Sequence, residues 1–186
     1  MQLSLRYQVT RADEFENPKR RAKLWLPVHS INRNGALLQR AMNASTSPTL
    51  QRTTGVVALT SSSWSFLAGL SDDSYGIVVG TGAPQSVPAS WNVNGKVAQG
   101  VTPTTLQHSA MSISVVTLTL TASTWMVSRV FTPNAVDSIL VTQIGLVSFG
   151  GGSATTRYMV VFDNLAGPVD FGNWIPRTVA YQFSMG

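Results

Sequence analysis

The sequence predicts an all-β protein: an antiparallel β-sandwich or jelly-roll-like body with an extended basic N-terminal arm. Three observations predict it. After residue 53, short runs recur in which apolar residues fall on alternate positions, the period of a half-buried strand. Gly, Pro, Asn and Ser turn signals separate these runs, and no helical periodicity lies between them, which argues against a parallel α/β sheet. Charged residues make up only 11% of the chain, against about 25% in an average soluble domain. Thr and Ser fill the places that Lys and Glu would take, which suits strands.

In chain order, Met1–Thr10 alternates Leu3, Leu5, Tyr7 and Val9 against polar residues and reads as a strand. Asp13–Asn17 reads as a turn or a single helical turn before Pro18. Lys19, Arg20, Arg21 and Lys23 then run into Leu24, Trp25 and Leu26. Asn34–Met42 is the one helical stretch, and Ala44–Thr54 reads as a Ser/Thr/Pro linker. The division is therefore an N-terminal strand and basic arm with one short helix over 1–52, and a β-sandwich body over 53–186.

In the body, strands are expected at Gly55–Thr60, Trp64–Leu70 and Tyr75–Gly80. A turn-rich stretch follows from Ala83 to Gly100, with a tight turn at Asn94–Gly95. Val101–His108 reads as a loop. Ser112–Thr121 is a strand with Val116, Leu118 and Leu120 inward and a bulge near Val115–Val116. Thr124–Phe131 puts Trp125, Val127, Arg129 and Phe131 on one face. A turn at Pro133–Asp137 leads to Ser138–Val147, with Leu140, Ile144 and Leu146 on one face. Arg157–Asp163 and Thr178–Ser184 complete about eight body strands.

The apolar fraction of 44% is enough for a core, and there is no cysteine, so disulfides and thiolate metal sites are excluded. No apolar run is long enough to span a membrane, and the N-terminus lacks the apolar segment of a signal peptide. Net charge is +5, unevenly placed. Residues 1–52 hold nine Lys/Arg and three acids, whereas residues 53–186 hold four and five. From Lys19 to Arg52 there are seven basic residues and no acid. A body so poor in charge suits a subunit that hides much of its exterior against neighbours.

The stretch Ser71–Gly82, SDDSYGIVVGTG, resembles a phosphate loop only superficially. Gly82 is followed by Ala83 and Pro84 rather than Lys and Ser/Thr, and Pro84 and Pro88 oppose the helix a dinucleotide fingerprint needs. It reads as a buried strand leaving through a glycine turn. Adjacent Asp72 and Asp73 would point to opposite faces of a strand and are read as turn-forming residues; calcium held by them and by backbone carbonyls is the alternative. The histidines, His29 and His108, have no metal-binding spacing, and no Gly-x-Ser-x-Gly elbow occurs. Neither catalytic residues nor a cofactor or metal set can be named, so the chain is read as not an enzyme.

Partner-binding candidates lie in the arm: Lys19, Arg20, Arg21, Lys23, Trp25, Arg33 and Arg40, cations for an acidic surface around an aromatic plug. A solvated basic loop with Trp25 folded back on the core is the competing reading. Arg129 is the candidate inter-subunit contact, because Trp125, Val127 and Phe131 share its face. For Arg157, a stem laid along the sheet surface is preferred.

Asp73, Tyr75–Gly82 (YGIVVGTG), Arg129–Thr132 (RVFT), Ile139–Val141 (ILV), Ile144–Leu146 (IGL) and Thr178–Phe183 (TVAYQF) together resemble a family of virion-associated β-proteins from tailed bacteriophages. The resemblance covers roughly residues 71–184 and departs at Pro133–Val136, where an Asn-Asn-Ser-Gly-like turn would be expected. It implies a structural role in a tailed-phage virion, as a capsid decoration, head–tail or tail component. The implied partners are other virion proteins and copies of the chain itself.

Two other readings are open. A small-virus coat protein would use the arm to neutralise packaged nucleic acid, although Leu24, Trp25, Leu26, Leu37 and Leu38 interrupt its charge. A carbohydrate-binding sandwich would present Trp64, Trp91, Trp125 or Trp174 as a stacking platform.

Overall fold

The computed structural model describes residues 3–11, 26–27, 49–52, 55–58, 64–85, 92–114, 117–118, 123–150 and 157–185. The fold is all-β, as the alternation predicts, with two antiparallel sheets and no helix among the described residues. The first sheet runs β2 (Leu26–Pro27), β1 (Leu3–Arg11), β13 (Arg177–Met185), β10 (Ser123–Pro133), β7 (Leu106–His108). The short strands β8 (Ser112–Ile113) and β9 (Thr117–Leu118) pair with other parts of β10. The second sheet has β11 (Leu140–Gly150) at its centre, flanked by β12 (Arg157–Asp170) on one side. On the other side lie β5 (Trp64–Ser65) and β6 (Gly76–Gly80). A separate hairpin joins β3 (Thr49–Arg52) and β4 (Gly55–Ala58).

The three long strands of the first sheet stay in strict register, with Tyr7, Tyr181 and Val127 side by side, and Phe183 between Leu5 and Trp125. Period-two alternation then sends Tyr7, Val9, Val127, Arg129, Phe131, Val179, Tyr181 and Phe183 to one face, which packs on the second sheet. There they meet Ile77, Val79, Val141, Ile144, Leu146 and Val161. Trp125 stacks flat on Phe183, with ring centroids 4.0 Å apart.

A smaller apolar cluster covers the far face of the second sheet: Val78, Val93, Val147, Met159 and Phe162. The turn at Asn94–Gly95 folds the Val93 segment onto it, with Gly95 at φ 60 and main-chain bonds from Thr81 to Gly95 and from Gly82 to Asn94. The second sheet is thus covered on both faces. That is why all five residues of β6 are buried, as the unbroken apolar run at its centre predicts.

Several expectations are corrected. The stretch read as a linker contains β3, paired with β4. β1 pairs with β13 along all nine of its residues and places Tyr7 in the core, so the sandwich includes a strand that lies before residue 52. The strand expected over Trp64–Leu70 ends at Ser65. The loop expected over Val101–His108 ends in β7. Leu118, expected inward, is 76% exposed in the two-residue strand β9. In β11 the register shifts between Val141 and Gln143, so Val141 rather than Leu140 joins Ile144 and Leu146 in the core. The expected helix Asn34–Met42 lies outside the described residues.

Candidate functional site

Among the described residues Arg129 is the largest fully buried side chain, 1% exposed. β10 carries it inward, between Val127 and Phe131. Its guanidinium is spent on main-chain carbonyls. Nε donates to Ser109 at 2.9 Å, and Nη1 donates to Tyr75 and Ile77, both at 3.2 Å. Nη2 donates to Gly69 at 3.3 Å and to Asp72. A guanidinium has five N–H donors, and these five carbonyls use them all. Residues 66–75 therefore leave the strand path to wrap this cation, which is why the Trp64–Leu70 strand stops short. Burial lowers the Arg129 pKa to about 10, with Asp72 and Asp73 opposing the shift, so the group stays charged at neutral pH. Arg129 is thus an internal latch and not an inter-subunit contact, since every donor is satisfied within the chain.

The two adjacent acids part company beside it. Asp72 Oδ1 accepts from the Ser74 amide at 2.8 Å and from the Ser74 hydroxyl at 2.6 Å, the turn-forming role expected of Asp. Asp73 pairs with Lys96 Nζ at 3.1 Å and accepts from the Gln99 amide at 2.8 Å. The Gln99 and Lys96 contacts outweigh burial and hold the Asp73 pKa below the usual range. Among the described residues no three His, Asp or Glu side chains converge, and the calcium alternative at Asp72–Asp73 loses its geometry because the two carboxylates serve different partners.

His108 is 1% exposed, and neither ring nitrogen has a hydrogen-bond partner. Its ring packs edge-on against Phe131 at 5.0 Å. Burial, and then the Arg129 charge, pull its pKa down to about 4. Asp163 is buried as well, placed opposite Ile144 on β11. Burial, followed by its negative charge, pushes up the pKa of the Tyr7 and Tyr181 phenols across the sandwich. Arg157 lies 4.9 Å above the Tyr75 ring and 4.7 Å from that of Phe149, and Nε and Nη2 donate to the Ser74 hydroxyl. Its stem follows the sheet surface as expected, but its head clamps the Ser71–Gly82 stretch.

The opposite end of the second sheet carries a different construction. Asp170, the last residue of β12, accepts four hydrogen bonds. Oδ1 takes the amides of Gly172 (2.7 Å) and Ile139 (3.2 Å); Oδ2 takes Asn173 Nδ2 (2.8 Å) and the Ser138 hydroxyl (3.0 Å). These bonds lower the Asp170 pKa despite the opposing effect of burial. The knot ties the β10–β11 and β12–β13 loops together. Gly172 packs so closely on the Asp137 carbonyl that no Cβ fits there. The chain then reverses through Asn173 (φ 58) and Trp174 (φ 57), closed by the Ile175 amide on Gly172 at 3.3 Å. The result is a turn of the mirror-image hairpin kind whose second central residue, normally Gly, is a tryptophan 60% exposed.

The partner-binding candidates Lys19, Arg20, Arg21, Lys23, Trp25, Arg33 and Arg40 lie outside the described residues, as do His29 and Trp91. Of the named tryptophans, Trp125 is stacked on Phe183 and Trp174 is exposed. Sequence reading missed the roles of His108, Asp170 and Trp174. Only Asp170 had a usable signal, an Asp two residues before Gly and three before Asn. No family model, no curated protein and no solved structure matches the chain.

Proposed function

We infer that the chain is a structural subunit of a tailed-phage virion that assembles through its surfaces with copies of itself and with other virion proteins. The observation that carries this reading is how the body disposes of its charge. Arg129 serves five carbonyls, Asp73 serves Lys96 and Gln99, Asp72 serves Ser74, and Asp170 serves four donors. Four of the five body acids and the buried arginine belong to such contacts or, for Asp163, to the core. What remains outside is hydroxyl-rich and apolar, with Val101, Val136, Leu140 and Trp174 all exposed. Depletion of charge together with exposed aromatic and aliphatic side chains is the composition of a surface that another protein covers. The tailed-phage resemblance of residues 71–184 supports the virion setting.

The test is to purify intact particles, from a lysate of the host that carries the gene, on a density gradient and probe each fraction for this chain. It is expected to co-band with intact particles in fixed ratio to the major capsid protein. A chain confined to the soluble fraction overturns the reading.

A further inference from the structure

We propose that the chain associates head to tail with a second copy, the exposed Trp174 of one subunit filling a cleft on the outer face of the second sheet of the next. This deepens the assembly reading above and rests on it. The knob is built. A non-glycine residue at positive φ costs on the order of 1–2 kcal/mol, and Trp174 remains 60% exposed, so most of the side chain held in that conformation is not buried by its own chain. The Asp170 knot and the Gly172 approach to Asp137 hold the turn in place nonetheless. Strain that the surroundings over-determine collects at functional positions, and Trp is the residue most enriched where binding energy concentrates.

The polar side chains beside Trp174 are already occupied: Asp170, Asn173 and Ser138 bond to one another. The tip thus presents an indole without the ring of free donors and acceptors that a sugar would require. It calls for an apolar cleft.

The chain carries one. Val78, Val93, Val147 and Met159 floor a cleft of about 210 Å³, rimmed by Ser74, Asn92 and Lys96. That is smaller than the ~300–1,000 Å³ of small-molecule pockets and suits a single side chain. Met159 gives the floor an unbranched, adaptable member. Lys96 at the rim, its ammonium held by Asp73, is 41% exposed and can lay its stem beside an indole.

Knob and cleft cannot meet within one subunit. The Trp174 turn lies at the Leu140–Asp170 end of the sheet, whereas Val147 and Met159 lie seven residues further along β11, roughly 20 Å at strand rise. Two different patches meeting between copies make a heterologous contact, which closes into a ring or runs on as a filament.

Sedimentation velocity on the full chain, over a wide concentration range, tests this with two variants. Trp174→Gly removes the knob and relieves the positive φ; Asn92→Arg obstructs the mouth of the cleft. Wild type is expected to associate with increasing concentration, and each variant alone to stay monomeric. An equimolar mixture of the two should form dimers and nothing larger, because one supplies the intact cleft and the other the intact knob. The Tm of dilute Trp174→Gly should match or exceed that of dilute wild type, which a residue packed for its own subunit's sake would not allow. A monomeric wild type, a Trp174→Gly chain that associates like wild type, or a mixture that stays monomeric overturns the proposal. The particle experiment is independent of these results: co-banding with a monomeric wild type would sink this contact and leave the virion reading standing.

Discussion

Arg129 donates to the main-chain carbonyl of Asp72 and not to its carboxylate, which turns away to Ser74. The buried cation is therefore held by dipoles, with acids near enough to stabilise its charge but not paired to it. The arrangement couples β10, an inner strand of one sheet, to the loop that feeds β6 in the other. Arg129→Met should remove a donor from five carbonyls, of which Gly69 still accepts from the Asp72 amide. At about 1–3 kcal/mol for each buried polar group left unpaired, the loss is comparable to the whole stability of a domain. The expected outcome is a chain that does not reach the native state, read by loss of cooperative thermal unfolding. Arg129→Lys, with three donors, should fold with a strongly lowered Tm. A Met variant that melts like wild type would show that the carbonyls find other donors.

His108 sets the acid limit of the fold. The groups facing it are Arg129 and Lys96, which disfavour its protonation, and Asp73 and Asp72, which favour it. The unfolded chain takes up its proton near pH 6.5, whereas the folded chain does so only near pH 4. Between those values the unfolded state binds more protons, so stability falls as the pH is lowered, by up to about 3 kcal/mol. Asp73 and Asp170 act separately and lower down. Their pKa values are depressed, so their contribution is lost only as pH falls below the ordinary carboxylate value of about 4. Urea titrations at pH 7, 6, 5 and 4.5 should show the decline. His108→Phe, which keeps a ring against Phe131, should flatten it. An equal decline in that variant would assign the effect elsewhere.

The sequence made the sandwich legible where apolar and polar residues alternate. β1, β10 and β13 show that alternation plainly, and Tyr7, Val127, Phe131, Val179 and Tyr181 turn inward, although Gln8, Thr10, Thr178 and Ala180 on the other phase are buried too. β6 was legible for the opposite reason, an apolar run covered on both faces. The misreadings share a cause: a tertiary partner overrode the local pattern. Residues 66–70 look like a strand, but Gly69 gives its carbonyl to a guanidinium some sixty positions away and Ala68 gives its own to the Met111 amide. Leu140 fits the apolar phase of β11, yet a register shift hands its place to Val141. Arg129 was visible as an oddity on an apolar face, but nothing local could show that five carbonyls would converge on it. Trp174 was visible only as one tryptophan among several, because turn geometry is not written in the residue itself.

The glycines of YGIVVGTG answer to packing rather than to a ligand. A Cβ on Gly80 would run into Val93 Cγ1 and the Asn94 carbonyl, where the tight turn crosses β6. Gly80→Ala should destabilise by about 1–3 kcal/mol, the range for overpacking a filled site, read as a lower urea midpoint with unchanged slope. Gly69, with open space around its Cβ position, is the control, and Gly69→Ala should fall within about 0.5 kcal/mol of wild type as other undemanding surface changes do. Equal effects at the two positions would remove the packing argument.

Asp170 should prove a local clamp and not a global one. Asp170→Ala deletes the acceptor for the Gly172 and Ile139 amides and for the Asn173 and Ser138 side chains. These bonds lie near the surface, where water replaces a lost partner readily, so the expected cost is only about 1–2 kcal/mol. The local effect should be larger. Gly172 loses its carboxylate acceptor and Ile139 loses its carboxylate contact, so hydrogen exchange at these two amides should accelerate far more than at Ile144 or Val179 in the strand centres. Asp170→Asn, which keeps one carbonyl oxygen, should fall between the two. Uniform acceleration across strands and loops would mean that the knot holds the whole sandwich, and that the end bearing Trp174 has no rigidity of its own.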